Sequence, residues 1–303
     1  MKVLVTGSSG FIGRHCIAQL QAKGYEVHAV SSAVREAAPG VTWHRANLLA
    51  EGEAAALVRR IGATHLLHLA WCTAPGKYWT SLENFDWVRA SVAMIQAFTA
   101  SGGKRFVAAG TCAEYDWDYG VCDEATTPLA PGTLYGSSKH ALQTLLAAWS
   151  RQTGLSSAWG RVFSLYGPYE YPTRLVSSVI TAILRGEIAQ CKNSTQVRDY
   201  LHVTDVASAF VALLSNELNG PVNIASGSGV TLKAILEEIA AQLGRPDLLR
   251  FEVRPASLSE PLILVADVAR MHSSGWGPQY DLPDGLRQAI DWWRTAGRRG
   301  GML

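Results

Sequence analysis

The amino-acid sequence predicts an α/β protein built on a doubly wound parallel sheet, with a smaller mixed α/β lobe towards its C-terminal end. Three observations lead to this prediction. Short apolar, strand-like runs alternate with longer runs whose apolar residues have helical spacing. A glycine-rich turn joins the first strand to the first helix. The regular alternation weakens after Gly167, where prolines and tyrosines cluster.

Strands and helices follow one another in a regular order. The predicted strands are Val3–Val5, Glu26–Val30, Val41–His44, Thr64–Leu69, Arg105–Ala109, Ser157–Phe163 and Val222–Ala225. The predicted helices are Ile12–Lys23, Ala54–Ile61, Phe85–Ser101, Tyr135–Thr153, Leu175–Arg185, Thr231–Leu243 and Asp284–Thr295. The first helix carries Ile12, Cys16 and Leu20 on one face, and Thr231 is a suitable N-terminal cap. This order implies a parallel sheet with helices on both faces.

Composition excludes several classes of protein. The chain has 303 residues, 48% of them hydrophobic, which is enough for a large buried core. Its net charge of +2 gives no electrostatic footprint for nucleic acid or an anionic membrane. The five cysteines include no C-x-x-C pair, which argues against a disulfide framework or a zinc site. Without a membrane-length apolar run, and with no signal peptide expected ahead of the first strand, we expect a soluble cytoplasmic protein.

The segment Thr6–Gly13 has the spacing G-x-x-G-x-x-G, directly after a strand and at the start of a helix. Gly7 permits the tight turn, Gly10 lets the backbone approach a pyrophosphate, and Gly13 lets the helix pack close to the sheet. The positive end of that helix attracts phosphate. The sequence therefore predicts a nicotinamide dinucleotide in a Rossmann domain formed by residues 1–165, with residues 196–226 returning to it. Residues 166–195 and 227–303 are expected to form the substrate-binding lobe.

The end of the second strand should contact the adenosine ribose. An NAD site usually has an acidic residue there, which accepts hydrogen bonds from the 2′-hydroxyl. Here the strand ends in Ser31 and Ser32, and Arg14 and Arg35 are close in sequence. Hydroxyl and guanidinium groups suit a 2′-phosphate, which favours NADP(H) over NAD(H). The alternative is that both arginines are simply solvated.

Tyr135 and Lys139 form a Y-x-x-x-K motif at the start of a predicted helix. The i, i+4 spacing places both side chains on one helix face. An ammonium group beside a phenol favours phenolate and lowers the pKa of the tyrosine. Proton transfer at neutral pH requires such tuning.

With these motifs the chain resembles the extended short-chain dehydrogenase/reductase family, whose members include NAD(P)-dependent nucleotide-sugar epimerases, dehydratases and reductases. The resemblance runs nearly end to end. Besides the glycine turn and the Tyr–Lys pair, five segments carry it: His68–Ala70, Gly110–Tyr115, Arg161–Pro168, Val197–Val203 and Arg254–Pro255. It implies an enzyme with catalytic residues Thr111, Tyr135 and Lys139.

The motifs and the resemblance together give the expected binding residues. Expected cofactor contacts are Gly7, Gly10, Phe11, Ile12, Gly13, Ser31, Ser32, Arg35, Asn47, Leu48, Leu69, Ala70, Tyr135, Lys139 and Phe163. Expected substrate contacts are Trp71, Thr111, Ser164, Arg198 and Arg254, with the two arginines on the diphosphate.

Three departures from the family pattern bear on the reaction. Cys112 and Ala113 stand where dehydratases of the family have the acidic residues that remove a sugar hydroxyl. Glu114 is one place further on and is a possible substitute, although a surface position is the simpler interpretation. Ser164 replaces the usual Asn near the sugar, and Asn47 stands where an Asp often meets the adenine.

Two aromatic loops, Trp71–Trp79 and Tyr115–Tyr119, follow the fourth and fifth strands. Ligands of open parallel sheets bind beyond the carboxyl ends of the strands, so these aromatic residues are expected either to line the sugar pocket or to pack locally. They are Trp71, Tyr78, Trp79, Trp117 and Tyr119. The histidines show no metal-ligand spacing; His65, His68, His140 and His202 are expected in the core or on the surface, and no metal is predicted.

The leading hypothesis is NADPH-dependent reduction of a 4-keto-(6-deoxy) sugar carried on a nucleotide diphosphate. The alternative is an NAD-dependent nucleotide-sugar 4-epimerase that uses the same residues. A sugar dehydratase and a non-catalytic dinucleotide-binding protein are less favoured. The resemblance also suggests a role in polysaccharide biosynthesis and a homodimer formed through a four-helix bundle of Phe85–Ser101 and Tyr135–Thr153, although the apolar positions of these helices equally fit packing on the sheet.

Overall fold

The computed structural model describes residues 1–191, 194–252 and 261–300. The strands in this part of the chain are β1 Lys2–Thr6, β2 Glu26–Ser31, β3 Val41–Arg45, β4 His65–His68, β5 Arg105–Thr111, β6 Val121–Cys122, β7 Ser156–Val162, β8 Ser164–Tyr166, β9 Ala189–Cys191, β10 Val197–His202, β11 Gly220–Ile224, β12 Gly229–Thr231, β13 Leu249–Phe251 and β14 Ile263–Ala266. The α-helices are α1 Gly13–Ala22, α2 Glu53–Ile61, α3 Glu83–Ala100, α4 Leu134–Thr153, α5 Leu175–Leu184, α6 Val203–Ser215, α7 Leu232–Leu243, α8 Ala269–His272 and α9 Leu282–Gly300.

A seven-stranded sheet forms the centre of the molecule, in the order β11-β7-β5-β4-β1-β2-β3. Every neighbouring pair in it is parallel. Apolar residues of α2, α3 and α4 pack on one face, and those of α1, α6 and α8 pack on the other. The predicted doubly wound α/β fold is therefore confirmed, and the seven predicted strands are the seven strands of this sheet.

A second group of elements contains short strands that the sequence pattern did not predict. Strands β12, β10, β14 and β6 form one sheet in that order, and β8 also pairs with β10. Strands β9 and β13 form a separate pair. Helices α5, α7 and α9 share a core of their own, with Ile180, Ile235 and Ile290 fully or almost fully buried. Strand β10 connects the groups, because its last three residues pair with β8 directly after β7.

The sheet register sets the position of a cleft. The carboxyl ends of β1, β4 and β5 lie side by side, since Thr6 pairs with His68 and His68 pairs with Ala108. The loops that leave these ends meet α5, β9 and β10 across an open space. No helix among the described residues is long and apolar enough to cross a membrane.

Candidate active site

A cavity of about 720 Å³ lies between the carboxyl edge of the large sheet and the smaller group of elements. Its walls bring together fourteen of the residues predicted from the sequence. They are Gly7, Gly10, Phe11, Ile12, Gly13, Leu69, Ala70, Trp71, Thr111, Tyr135, Lys139, Phe163, Ser164 and Arg198. A volume of this size is typical of a site for a small-molecule ligand.

The remaining predicted residues are not on the wall of this cavity. Ser31, Ser32 and Arg35 lie at and beyond the end of β2, where the Ser31 oxygen accepts from Arg35 Nε at 3.4 Å. Asn47 is exposed and its side chain accepts from the Leu49 amide, whereas Leu48 is buried in the core. Arg254 lies outside the described residues.

The glycine turn is closed tightly enough to exclude side chains. Gly7 has a φ of +69°, and a Cβ atom there would lie 2.7 Å from the Ala70 nitrogen. A Cβ on Gly13 would collide with the Gly7 carbonyl oxygen, and Gly10 N donates to that same oxygen at 2.9 Å. The bare backbone at the start of α1 is the surface that a dinucleotide pyrophosphate requires, so these residues fit such a cofactor.

His68 orders the wall next to the turn and is a core residue. The Thr6 hydroxyl accepts from the amides of Leu69 and Ala70, which leaves its own proton for His68 Nδ1 at 2.7 Å. His68 Nε2 then donates to the Ser91 hydroxyl at 2.8 Å. Burial lowers the pKa of His68 to about 3, so the imidazole stays neutral and acts in structure rather than in proton transfer.

Two arginines lie outside the cavity wall, Arg14 at the glycine turn and Arg35 beyond the end of β2. Arg14 donates to the carbonyl oxygens of Ser9 and Gly10, and its guanidinium lies 4.1 Å from the centre of the Tyr169 ring. Burial lowers the pKa of Arg14, the nearby Tyr169 opposes that shift, and the charge of Arg35 adds to it. The two positive charges are therefore close enough to act on each other at the end of β2.

The three predicted catalytic residues are all buried at the cavity wall, with exposed fractions of 7% for Thr111, 9% for Tyr135 and 3% for Lys139. Lys139 Nζ donates to the Ala109 carbonyl at 2.8 Å. Burial lowers the pKa of Lys139 to about 7, although Glu114 opposes the shift. Burial raises the pKa of Tyr135, more than the hydrogen bond with Thr111 lowers it. The expectation that Lys139 lowers the pKa of Tyr135 is therefore wrong for the protein without bound ligands, because the cost of desolvating the phenolate dominates.

Glu114 is fully buried, so the surface interpretation of this residue was wrong. Its carboxyl group accepts from the Thr111 amide at 2.9 Å, from Trp159 Nε1 at 2.8 Å and from Arg161 Nε at 2.9 Å. Arg161 also donates to the Tyr115 hydroxyl at 3.0 Å. All of these partners belong to the protein interior, so Glu114 holds the turn that carries Thr111 and is not available to a substrate.

An aromatic wall faces Tyr135. The rings of Tyr78 and Trp79 lie edge-on to it, with centroids 5.0 Å and 5.7 Å away. Trp71 and Trp117 also line the cavity. Four of the five aromatic residues predicted from the two loops thus lie on the cavity wall. Tyr119, however, is 57% exposed and is not on the cavity wall.

The opposite wall contains residues that sequence analysis missed. Arg174 and Glu170 follow the Tyr-Gly-Pro segment and line the cavity beside Arg198. Glu170 is 4% exposed, and its carboxyl accepts from the Ser177 amide at the start of α5 at 3.2 Å. Burial raises the pKa of Glu170 to about 8, against the effect of Arg174. Irregular chain offers no periodic signal, so only the nearby Tyr-Gly-Pro segment pointed to this region.

Arg198 lies at the start of β10 and lines the cavity as predicted. Its guanidinium donates to the Val197 carbonyl and to the Gln196 side chain, both at 2.9 Å. Within residues 1–191, 194–252 and 261–300 no group of three or more His, Cys, Asp and Glu side chains is arranged to hold a metal ion.

Comparison with known proteins identifies the family of the chain. A profile of the NAD-dependent epimerase/dehydratase family matches residues 3–225, which include the glycine turn, Thr111, the Tyr–Lys pair and Arg198. The chain belongs to this family. As a member of the NAD-dependent epimerase/dehydratase family it is an enzyme of the extended short-chain dehydrogenase/reductase type, as its motifs indicated.

Relatives match over nearly their whole length. UDP-glucose 4-epimerase of Rhizobium leguminosarum bv. trifolii is 29% identical over 319 residues, which cover 96% of each chain. The structure of UDP-glucose 4-epimerase from Thermus thermophilus in complex with NAD has a TM-score of 0.83 and 27% identity, and the match covers 98% of this chain and 100% of that one. MoeE5 in complex with UDP-glucuronic acid and NAD has a TM-score of 0.84 and 29% identity, with the same coverage.

Proposed function

We propose that this enzyme is an NADPH-dependent reductase of a 4-keto-6-deoxy sugar carried on a nucleoside diphosphate. One observation carries the proposal: the buried Thr111, Tyr135 and Lys139 lie together on this wall, and no described residue of the wall carries a carboxyl group. Among the described residues that line the cavity, the one carboxyl group is that of Glu170, on the opposite wall. Cys112 and Ala113 supply no carboxyl, and that of Glu114 is engaged by Arg161. Elimination of water requires a further acid and base, whereas reduction of a ketone requires only one proton donor.

The residues present suggest how the reaction proceeds. When bound at the glycine turn, the nicotinamide cofactor supplies hydride transfer. Tyr135 donates a proton to the sugar oxygen, and the Thr111 hydroxyl donates a hydrogen bond to that oxygen as negative charge develops. Because burial raises the pKa of Tyr135, the phenol stays protonated at neutral pH, as a proton donor must. Lys139 holds the ribose of the cofactor from the same helix face.

The rest of the nucleotide sugar is assigned to the two walls of the cavity. Arg198 and Arg174 present guanidinium groups to the diphosphate, which they suit because the planar group pairs with two phosphate oxygens. Tyr78, Trp79 and Trp117 present rings to the apolar face of the sugar. Arg254 keeps its predicted role as a second phosphate contact from outside the described residues.

The cofactor preference rests on the end of β2. Ser31 and Ser32 replace the expected carboxylate, and the charges of Arg14 and Arg35 influence each other there. We expect Arg35→Ala to weaken NADPH binding by about 10- to 150-fold and to leave NADH binding unchanged, because a hydrogen bond to a charged group contributes about 1.5–3 kcal/mol. Dissociation constants from the fluorescence of the reduced cofactors measure the difference. Arg151→Ala, an exposed arginine on α4, is the control; equal weakening of both cofactors by Arg35→Ala would contradict the preference.

A second candidate is an NAD-dependent nucleotide-sugar 4-epimerase. It is favoured by the full-length relatives, several of which are UDP-glucose 4-epimerases at 26–29% identity. An epimerase retains its cofactor, whereas a reductase exchanges it in every cycle.

The decisive experiment has two readouts on the purified enzyme. Mass spectrometry identifies any cofactor released by denaturation, and absorbance at the nicotinamide band follows NADPH consumption with a panel of 4-keto nucleotide sugars. Rapid NADPH consumption without tightly bound NAD supports the reductase. Retained NAD⁺, with interconversion of UDP-glucose and UDP-galactose in the absence of added cofactor, would establish the epimerase instead.

We also propose that the enzyme is a homodimer in which α3 and α4 of each copy form a four-helix bundle. Both helices pack on the same face of the large sheet and touch each other through Trp149 Nε1, which donates to Thr99 at 2.9 Å. Their outward side exposes apolar residues, with Phe85 60% and Leu145 50% exposed.

A further inference from the structure

Lys139 is an ammonium group buried without a carboxylate of its own. It is 3% exposed, and the charged or titratable groups that face it come from three elements: His68 at the end of β4, Glu114 after β5 and Tyr135 on its own helix. His68 is neutral, since its nitrogens contact the Thr6 and Ser91 hydroxyls. Glu114 is paired with Arg161 at 2.9 Å. A buried cation in these surroundings needs another source of stabilisation.

The indole ring of Trp71 provides it. Lys139 Nζ lies 3.7 Å from the centroid of this ring, and it also donates to the Ala109 carbonyl. The negative face of an indole attracts a cation, most strongly where both groups are shielded from water. Trp71 is itself only 9% exposed, so this contact is a shielded one.

The plane of the indole is held by Asn84, at the start of α3. Trp71 Nε1 donates to Asn84 Oδ1 at 2.8 Å. The Asn84 amide in turn donates to the carbonyls of Tyr78 and Ser81, both at 2.8 Å, and the residue is fully buried. The ring of Trp87 stacks on Trp71 with centroids 6.1 Å apart. One buried amide thus orients the ring over Lys139 and also fixes the loop that carries the aromatic wall.

We propose that Trp71 is a positioning residue: its indole face holds the Lys139 ammonium against the Ala109 carbonyl, on the helix face that Lys139 shares with Tyr135, and Asn84 sets the plane of the ring. This role differs from the substrate contact expected for Trp71. Its catalytic consequence rests on the proposed function, but the lysine–indole contact does not. Without the indole, the charged form of Lys139 loses stabilisation and the lysine deprotonates at a lower pH.

The contact is tested first by NMR on enzyme labelled with ¹³C at the lysine ε carbons, without substrate. The wild type should show one lysine resonance shifted upfield by the ring current of Trp71 and titrating near pH 7. Trp71→Leu should remove most of the upfield shift, leaving the smaller effect of the Trp159 ring 5.9 Å away, and lower the titration midpoint by about one unit. Trp71→Phe preserves more of the packing and should change both the upfield shift and the titration midpoint of Lys139 by an intermediate amount. Asn84→Ala should reduce the upfield shift of Lys139. Trp276→Phe removes another hydrogen-bonded indole, remote from the cavity, and should change nothing.

The pH profile of kcat tests the consequence. The proposed function assigns Lys139 to the cofactor ribose, and the ammonium form donates the stronger hydrogen bonds. Trp71→Leu should therefore move the high-pH limb of kcat down by about one unit. A Trp71 that only contacts the sugar would raise KM and leave that limb in place, which would overturn the positioning role. An unshifted Lys139 resonance in the wild type, or one that is the same in Trp71→Leu, would also overturn it. If only the proposed reaction is wrong, the enzyme will show no turnover, but the NMR experiment will still show the Lys139–Trp71 contact.

Discussion

Burial controls the protonation of Tyr135, Lys139 and Glu170, three titratable side chains that line the cavity. It raises the pKa of Tyr135, lowers that of Lys139 to about 7 and raises that of Glu170 to about 8. In each case desolvation of the charged form is the largest cause. The cavity wall therefore carries a neutral phenol at Tyr135 and, on the same helix, a lysine whose pKa burial lowers to about 7.

Removal of the phenol hydroxyl tests the proton donor directly. Tyr135→Phe keeps the ring that packs against Tyr78 and Trp79, so the fold and cofactor binding should be retained. We expect kcat to fall at least about 100-fold, because a general acid typically contributes that much. Steady-state kinetics with a cofactor-binding control measures the loss. Tyr119→Phe, an exposed tyrosine outside the cavity, should have full activity; a fully active Tyr135→Phe would exclude the phenol as the acid.

Glu170 links stability to pH. The folded protein protonates this carboxyl below about pH 8, whereas the unfolded chain does so only below its ordinary value of 4.5. Between these values the folded state binds the extra proton, so stability falls as pH rises, by about 1.4 kcal/mol for each unit of pKa difference. Glu170→Gln should therefore be more stable than the wild type at pH 8, with the advantage shrinking towards pH 5. Thermal melts across this range test it. Exposed Glu51→Gln is the control, and a parallel pH dependence of Glu170→Gln and wild type would refute the link.

At the scale of elements, one buried ion pair joins β7 to the turn after β5. Glu114 and Arg161 are both completely buried, and they contact at 2.9 Å. The same carboxyl group accepts from the Thr111 amide, so the pair also positions the residue that carries the proposed catalytic hydroxyl. The position of Thr111 therefore depends on a contact between residues 47 positions apart in sequence.

Breaking this pair on one side should cost more than removing both partners. Glu114→Gln leaves the Arg161 charge buried without a counter-ion, and we expect a loss of about 3–5 kcal/mol in the free energy of unfolding. The double variant Glu114→Leu, Arg161→Met should recover part of that stability, because no unpaired charge remains. Denaturant unfolding measures both. Asp284→Asn is the comparison, because it removes the exposed ion pair of Asp284 with Arg287. Surface pairs of this kind contribute about 0–1 kcal/mol to the free energy of unfolding. Equal losses for Glu114→Gln and Asp284→Asn would contradict the assignment.

At the scale of the whole molecule, the two walls of the cavity come from different sheets. Arg198 lies at the start of β10, whereas the proposed catalytic residues lie at the edge of the large sheet and on α4. Strand β8, which directly follows β7, pairs with β10 and so brings the two sets of residues to one cavity. A substrate that spans the cavity therefore contacts both groups of elements, and its binding should stabilise their arrangement.

The proposed dimer is tested on the outward face of α4. Leu145→Arg places a charge where the bundle would bury an apolar side chain, and we expect the dimer to dissociate at micromolar concentration. Sedimentation equilibrium gives the mass. Val121→Arg replaces a residue of similar exposure on β6, away from α3 and α4, and should leave the mass unchanged. A monomeric wild type, or a Leu145→Arg variant with the mass of the wild-type dimer, would disprove this interface.

Local sequence patterns determined the central architecture of this protein. All seven strands of the large sheet and most of the helices that pack on it were predictable, because apolar periodicity and glycine spacing reflect interactions within a short stretch of chain. The glycine turn belongs to this class only in part: the close contacts of Gly13 involve Gly7 and Ser8, whereas those of Gly7 involve Leu69 and Ala70. The residues Thr111, Tyr135 and Lys139 were also identifiable from motifs.

Tertiary structure decided what depends on distant contacts. Strands such as β6, β8 and β9 have two or three residues, too few for a periodic pattern, and form only because partners from elsewhere in the chain pair with them. Contacts between residues distant in sequence also explain three features of the site. They pair the buried Glu114 with Arg161, place Glu170 and Arg174 on the cavity wall, and bring the Trp71 indole over Lys139. The sequence specifies which chemical groups the enzyme has, but their charge states follow from desolvation, which only the folded chain imposes.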